Sequence, residues 1–184
     1  EMSAEAGISM GLASRVKQAL FNQEWIKEEN KKFYLIKFEE VLNEWAKNYS
    51  FDKNQSYSFY SGLKDFELET AVKQECDRRK IRYGLALFSG AIKVAPYVRS
   101  MIFYSYIDRQ IEEIAEALKF KKVDSGANVT LIKPYDESIF YKLQKLNNVD
   151  IVSDIQLYLD LKSSPKRGDE AANAIFEQRI KPLW

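Results

Sequence analysis

The stretch Ala6-Gly7-Ile8-Ser9-Met10-Gly11-Leu12-Ala13-Ser14-Arg15-Val16 decides how the first part of the chain is read. A helix-turn-helix needs a residue of positive φ in its turn, and Gly7 takes that conformation without a side-chain clash. Ile8 follows as the apolar residue that closes the corner, and Ser9 as the hydroxyl cap that starts the next helix. Ala13, Val16, Ala19 and Leu20 then recur at the spacing of one helical face, predicted to pack on the preceding helix. The outward face is left with Met10, Gly11, Ser14, Arg15, Lys17 and Gln18. Together with Ser9, these are the residue types that a recognition helix presents to base edges and phosphates in the major groove. Arg15 suits a guanine or a phosphate, and Lys17 a phosphate, which adds affinity without sequence information.

Beyond this helix, Trp25-Ile26-Lys27-Glu28-Glu29-Asn30-Lys31-Lys32-Phe33-Tyr34-Leu35 has the form of a wing. Apolar residues flank a polar turn at Glu29-Asn30-Lys31, which predicts a short hairpin. Lys31 and Lys32 near its tip can reach a phosphate backbone. The motif is expected to open at its second helix, without the first. Positive and negative side chains balance from Glu1 to Tyr34. That balance keeps a second reading open, in which the winged helix binds protein and not DNA.

Composition narrows the chemistry. The 184 residues have room for one large domain or two small ones, and 46% of them are hydrophobic. The chain has no histidine and one cysteine, Cys76, which removes imidazole-dependent nucleophile systems, an internal disulfide and thiolate-rich zinc sites. Glycines 84, 90 and 126 are too scattered for a phosphate-cradling loop. Carboxylate pairs at Glu67 and Glu69, Glu112 and Glu113, and Asp154 and Asp160 read as helix surface, although such pairs can in principle hold magnesium. The expectation is a protein that is not an enzyme and uses no cofactor or metal. No run approaches the roughly 18 apolar residues of a membrane span, and the charged start Glu1–Glu5 lacks the order of a secretion signal. The expected compartment is the cytoplasm, and net charge +1 favours no class of partner.

A polar stretch, Lys47–Ser56, divides the chain into a winged-helix domain (1–50) and a mixed α and β domain (51–184), an α+β protein overall. In the second part, strands are predicted at Ser56–Tyr60, Arg82–Leu87 and Met101–Ile107. A helix is predicted at Asp65–Arg79, with Phe66, Leu68, Ala71, Val72 and Cys76 on its apolar face, and another from an Asp108 cap to Leu118. Phe120–Val123 and Asn128–Ile132 flank the turn Asp124-Ser125-Gly126-Ala127. Asp150–Val152 reads as a strand, Ser153–Leu161 as a helix, and Gly168 to Ile180 as the last helix. The basic run Arg78, Arg79, Lys80 and Arg82 is a helix end or an accessory basic surface. Phe103-Tyr104-Ser105-Tyr106 is a core strand or a stacking platform for bases.

The C-terminal half carries the more specific signal. Gly126-Ala127-Asn128-Val129-Thr130-Leu131-Ile132-Lys133-Pro134-Tyr135-Asp136 is followed by Val152-Ser153-Asp154-Ile155-Gln156-Leu157-Tyr158-Leu159-Asp160-Leu161, then Arg167-Gly168-Asp169-Glu170-Ala171-Ala172 and the closing Pro182-Leu183-Trp184. With Asn43-Glu44-Trp45-Ala46-Lys47-Asn48-Tyr49 and the opening motif, this order resembles the AbiEi-type antitoxin family of bacterial transcriptional regulators. The resemblance implies a winged helix that represses its own operon by binding operator DNA. It also implies a C-terminal domain that counteracts a nucleotidyltransferase-like toxin in a type IV toxin–antitoxin system, without a stable inhibitory complex. The alternative is a protein-interaction module, or a stand-alone regulator with no toxin partner.

Physical reading gives these motifs mostly structural roles. Asn128 is predicted to bond local backbone, Gln156 and Asp160 to form a surface pair or a buried network, and Leu157 and Leu161 to enter the core. Arg167-Gly168-Asp169-Glu170 reads as a helix start, with an anion at Arg167 as the sharper alternative.

Overall fold

The computed structural model describes residues 2–97, 100–164 and 167–184 and divides into two units, Glu1–Tyr49 and Ser50–Trp184. The architecture is mixed α and β, in keeping with the α+β expectation.

Unit 1 begins with a single helical turn, α1 (Met2–Glu5), in the place where the sequence predicts the first helix to be absent, followed by α2 (Met10–Asn22), strands β1 (Ile26–Glu29) and β2 (Lys32–Leu35), and α3 (Phe38–Asn48). Gly7 takes φ +64 between the two helices, the conformation its position demanded. Ser9 caps α2, its Oγ accepting the Leu12 N–H at 3.2 Å. The hairpin registers Ile26 on Leu35 and Glu29 on Lys32, so its turn is the pair Asn30-Lys31, both at positive φ. One expectation fails here. Ala13, Val16, Ala19 and Leu20 are not buried, and Val16 is 46% exposed. Helix α2 is met chiefly by the short α1 and β1 and by the Phe33 ring of β2, which together leave this face uncovered. Ile26 and Leu42 are the buried hydrophobic residues of this unit among those described.

Unit 2 is built on a seven-stranded mixed sheet in the order β6-β3-β7-β5-β4-β9-β8. Its strands are β3 (Gln55–Tyr60), β4 (Tyr83–Leu85), β5 (Phe103–Ile107), β6 (Lys121–Lys122), β7 (Val129–Lys133), β8 (Gln144–Leu146) and β9 (Val149–Ile151). Between them run α4 (Asp65–Arg79), α5 (Leu87–Val94), α6 (Ile111–Ala117), α7 (Asp154–Lys162) and α8 (Gly168–Ile175). Successive residues Ser105 and Tyr106 of β5 are both fully buried, as are Leu131 and Ile132 of β7. Successive strand residues point to opposite faces, so helices cover both sides of the sheet centre. One helical group is α4 with α6, and the other is α5, α7 and α8.

Several boundaries move for identifiable reasons. The apolar stretch after Arg82 is not one strand. It ends at Leu85 and turns into α5, whose Gly90 lets the helix approach Leu157 and the Leu85 carbonyl closely. Strand β5 starts at Phe103, leaving Met101 fully solvated. Asp108 does not cap α6, because its carboxylate is engaged by Arg82 and Arg109 and the helix begins at Ile111. Phe66 lies off the buried stripe of α4, at 74% exposure, while Leu68, Val72 and Cys76 enter the core. The segments around Asp124–Ala127 do not pair with each other, since β3 lies between β6 and β7 and bonds to both. After α8 the chain continues through a π-helical turn (Phe176–Ile180), so the last helix is not uniform.

Candidate nucleic-acid interface

On α2, Gly11, Ser14, Arg15 and Gln18 stand three, four and seven residues apart and so share one stripe of the helix. All four are exposed, and Gln18 donates to Asn22 at 2.9 Å along the same stripe. Met10, at the first turn, is 81% exposed. Ser9 is exposed and its hydroxyl serves as the cap, so its first task is to start the helix.

Lys17 does not belong to that stripe. Its ammonium sits 4.0 Å from the centroid of Phe33 on β2, and the edge of the same ring system is met by Phe21 at 6.1 Å and 83°. Lys31 and Lys32 are exposed at the hairpin tip, with no ion pair among the described residues. Lys27, on the outer face of the hairpin, is neutralised by Glu29 at 2.8 Å and lies over Tyr34. The nine predicted residues therefore fall in three places: the cap with the α2 stripe, the seam between α2 and the hairpin, and the hairpin tip. Alongside, a shallow cavity of about 530 Å³ is lined by Ala19, Leu20, Asn22, Gln23, Trp25 and Glu44.

The three arginines of the basic run of unit 2 are paired within the fold, while Lys80 ends α4 exposed. Arg78 and Arg79 both grip Glu75, at 2.7 and 2.5 Å, and their hydrogen bonds hold its carboxyl down at about 2. Arg82 pairs with Asp108 and Glu137 and covers the Phe140 ring. An accessory DNA surface there would first have to break these pairs. The β5 aromatics are not a stacking platform either: Phe103 and Tyr106 are buried, and the half-buried Tyr104 ring meets Phe88.

The C-terminal motifs converge on the interior of unit 2. Asp160 is fully buried and accepts from the Tyr106 hydroxyl at 3.1 Å and from Gln156 Nε2 at 2.8 Å. Tyr106 in turn accepts from Asn54 Nδ2, and Asn54 Oδ1 accepts the Tyr135 N–H. Gln156 and Asp160 thus form the buried network, with Leu157 and Leu161 in the core beside it. Asn128 bonds distant backbone, contrary to the local role predicted for it. Its amide side chain exchanges two 2.8 Å bonds with the N–H and C=O of Ser61, at the end of β3. Its position in a β-strand entrance placed Ser61 opposite, which no local pattern reveals.

Two further carboxylates are engaged similarly. Glu69 pairs with Lys93, and Asp154 pairs with Arg179 and accepts from Gln144. Burial pushes the Cys76 thiol up to about 12, which makes it an inert core residue. Among the described residues no three His, Cys, Asp or Glu side chains cluster as a metal site, and no helix is long and apolar enough to cross a membrane.

Residues 34–181 match the family profile described as transcriptional regulator, AbiEi antitoxin, type IV toxin–antitoxin system. The chain belongs to the AbiEi antitoxin family. The match runs from the hairpin's second strand to the C-terminal turn and takes in every element of the buried network. Helix α2 and the Asn30-Lys31 tip lie before it, so the family assignment is carried by α3 and unit 2. No curated protein and no solved structure matches the chain. The family is described as one of transcriptional regulators and type IV antitoxins.

Proposed function

We propose that unit 1 is a winged helix-turn-helix that binds the operator of the protein's own operon and represses it in the cytoplasm. In this reading unit 2 supports the antitoxin role against a nucleotidyltransferase-like toxin, and the protein has no catalytic activity. The observation that carries the DNA reading is the capped helix α2 followed by a hairpin docked on it through Phe21 and Phe33. A capped helix with small and polar residues on an exposed stripe suits the major groove, and a hairpin with lysines at its tip suits the adjacent backbone.

The test is a gel-shift titration of the duplex upstream of the protein's own reading frame, against random duplex, at several salt concentrations. Specific binding that weakens as salt rises is expected, with Arg15→Ala costing about 1–3 kcal/mol if Arg15 meets a base edge. Equal affinity for both duplexes refutes operator binding. A second reading, a protein-binding winged helix, is favoured by the uncovered Leu12 and Val16 of α2 and by the balanced charge of the unit. Charge reversal at Lys17 and Lys31 that leaves repression intact would select it.

A further inference from the structure

The lysines of unit 1 are held in different ways, and the difference has a functional consequence. Lys27 and Lys47 pair with carboxylates, Glu29 and Glu44, so each has an opposite charge beside it. Lys17 is held by a ring. Its ammonium lies 4.0 Å from the Phe33 centroid, and Phe33 is itself braced edge-on by Phe21. A ring face attracts a cation through its quadrupole but brings no opposite charge. The ammonium keeps its full charge, and its N–H groups that point away from the ring stay available to an acceptor. Glu28, directly across the hairpin from Phe33, is exposed and makes no ion pair with Lys17.

We propose that Phe33 is a positioning residue for DNA binding, its ring fixing the Lys17 ammonium at the seam of α2 and the hairpin as an ordered, un-neutralised phosphate contact. The proposal rests on the reading of unit 1 as a DNA-binding module. Ordering Lys17 before the encounter removes part of the side-chain entropy that a free lysine loses when it meets a phosphate. A carboxylate in place of the ring would order the lysine equally well but would remove the counterion release that drives phosphate binding. The seam also ties the two contact elements together, because the residue that holds Lys17 belongs to the hairpin.

The experiment combines a structural and a binding readout on the full chain. In the free protein, the Lys17 ε-methylene protons should be shifted upfield by the Phe33 ring current, in the wild type and in Phe33→Tyr, and return to ordinary positions in Phe33→Leu. Fluorescence polarisation with the duplex upstream of the protein's own reading frame then measures affinity against salt. Lys17→Gln should lower the salt slope by about 1. Phe33→Leu should weaken binding by about fivefold, and Phe33→Tyr should not. The double variant Lys17→Gln/Phe33→Leu should bind no more weakly than Lys17→Gln. Should Phe33→Leu lose helix content, pentafluorophenylalanine at position 33 keeps the shape while reversing the charge of the ring face, and must weaken binding likewise. Additive losses in the double variant, or undiminished affinity with the reversed ring, overturn the positioning role while leaving DNA binding in place. A wild-type chain that binds no duplex in a salt-dependent way overturns both, whatever the ring-current shift.

Discussion

Lys31 takes the second place of a two-residue hairpin turn at φ +61, after Asn30 at φ +51. This is the backbone of a type I′ turn, in which asparagine suits the first place and glycine the second. A lysine there costs about 1 kcal/mol relative to glycine, because its Cβ crowds the neighbouring carbonyl in the left-handed region. The charge and the backbone therefore ask for different residues. Lys31→Gly is expected to raise the melting temperature of unit 1 while weakening duplex binding. Circular dichroism melting and a polarisation titration measure the two effects separately, and a lower melting temperature would refute the turn geometry. Little of this conflict is legible in the sequence. The polar run Glu29-Asn30-Lys31 announces a turn, but only the Glu29–Lys32 pairing assigns the positive φ values to Asn30 and Lys31.

Helix α4 ends on charges that serve one another. Arg78 and Arg79 close on Glu75 one turn back, and their hydrogen bonds lower the Glu75 carboxyl from its ordinary value of 4.5 to about 2. An acid whose folded value is depressed adds stability above its unfolded value, and that stability disappears as pH falls through the folded one. Glu75→Gln should therefore be less stable than wild type at neutral pH, with the gap constant down to about pH 4.5 and closing by about pH 2. Urea melts across that range measure it, and a gap that persists at the acid end would show that the pairing is not its source. The start of α8 meets a steric limit. A Cβ on Gly168 would lie 2.2 Å from the Leu161 carbonyl oxygen at the end of α7, so Gly168→Ala must push the two helices apart. A loss of roughly 1–3 kcal/mol is expected in the same melts. The sequence read Gly168 correctly as a helix start, but the reason it is glycine lies on a different helix.

Across the whole molecule, the two units differ in how completely they bury themselves. Unit 2 has a sheet covered on both faces and a buried network joining Asn54, Tyr106, Gln156 and Asp160. Residues 50–184 expressed alone should unfold in one cooperative transition and fail to bind duplex. Non-cooperative melting of that piece would refute the division. Tyr106→Phe removes a hydroxyl that serves Asn54 and Asp160 at once, leaving buried polar atoms short of a partner at a cost of roughly 1–3 kcal/mol. The melting temperature of unit 2 should fall accordingly. Duplex binding at a temperature where the variant is still folded should stay at the wild-type level, since that network contains no residue of α2 or the hairpin.

By itself the sequence determined what depends on neighbours within a turn or two. It specified the Gly7 turn, the Ser9 cap, the hairpin, the core pair Leu157 and Leu161 of α7 and the order of motifs that marks the family. These follow from local rules, namely which residue tolerates positive φ, which side chain reaches an N–H three residues on, and which spacing makes a face. The tertiary structure decided what depends on distant partners. It alone reveals that Asn128 clamps Ser61, that Asp160 meets Tyr106, that Arg78 and Arg79 are occupied and that Lys17 is held over Phe33. A hydrogen bond or a cation over a ring acts across a few ångströms of space and is indifferent to separation along the chain. Residue type can therefore announce the capacity to bond, and only the fold selects the partner.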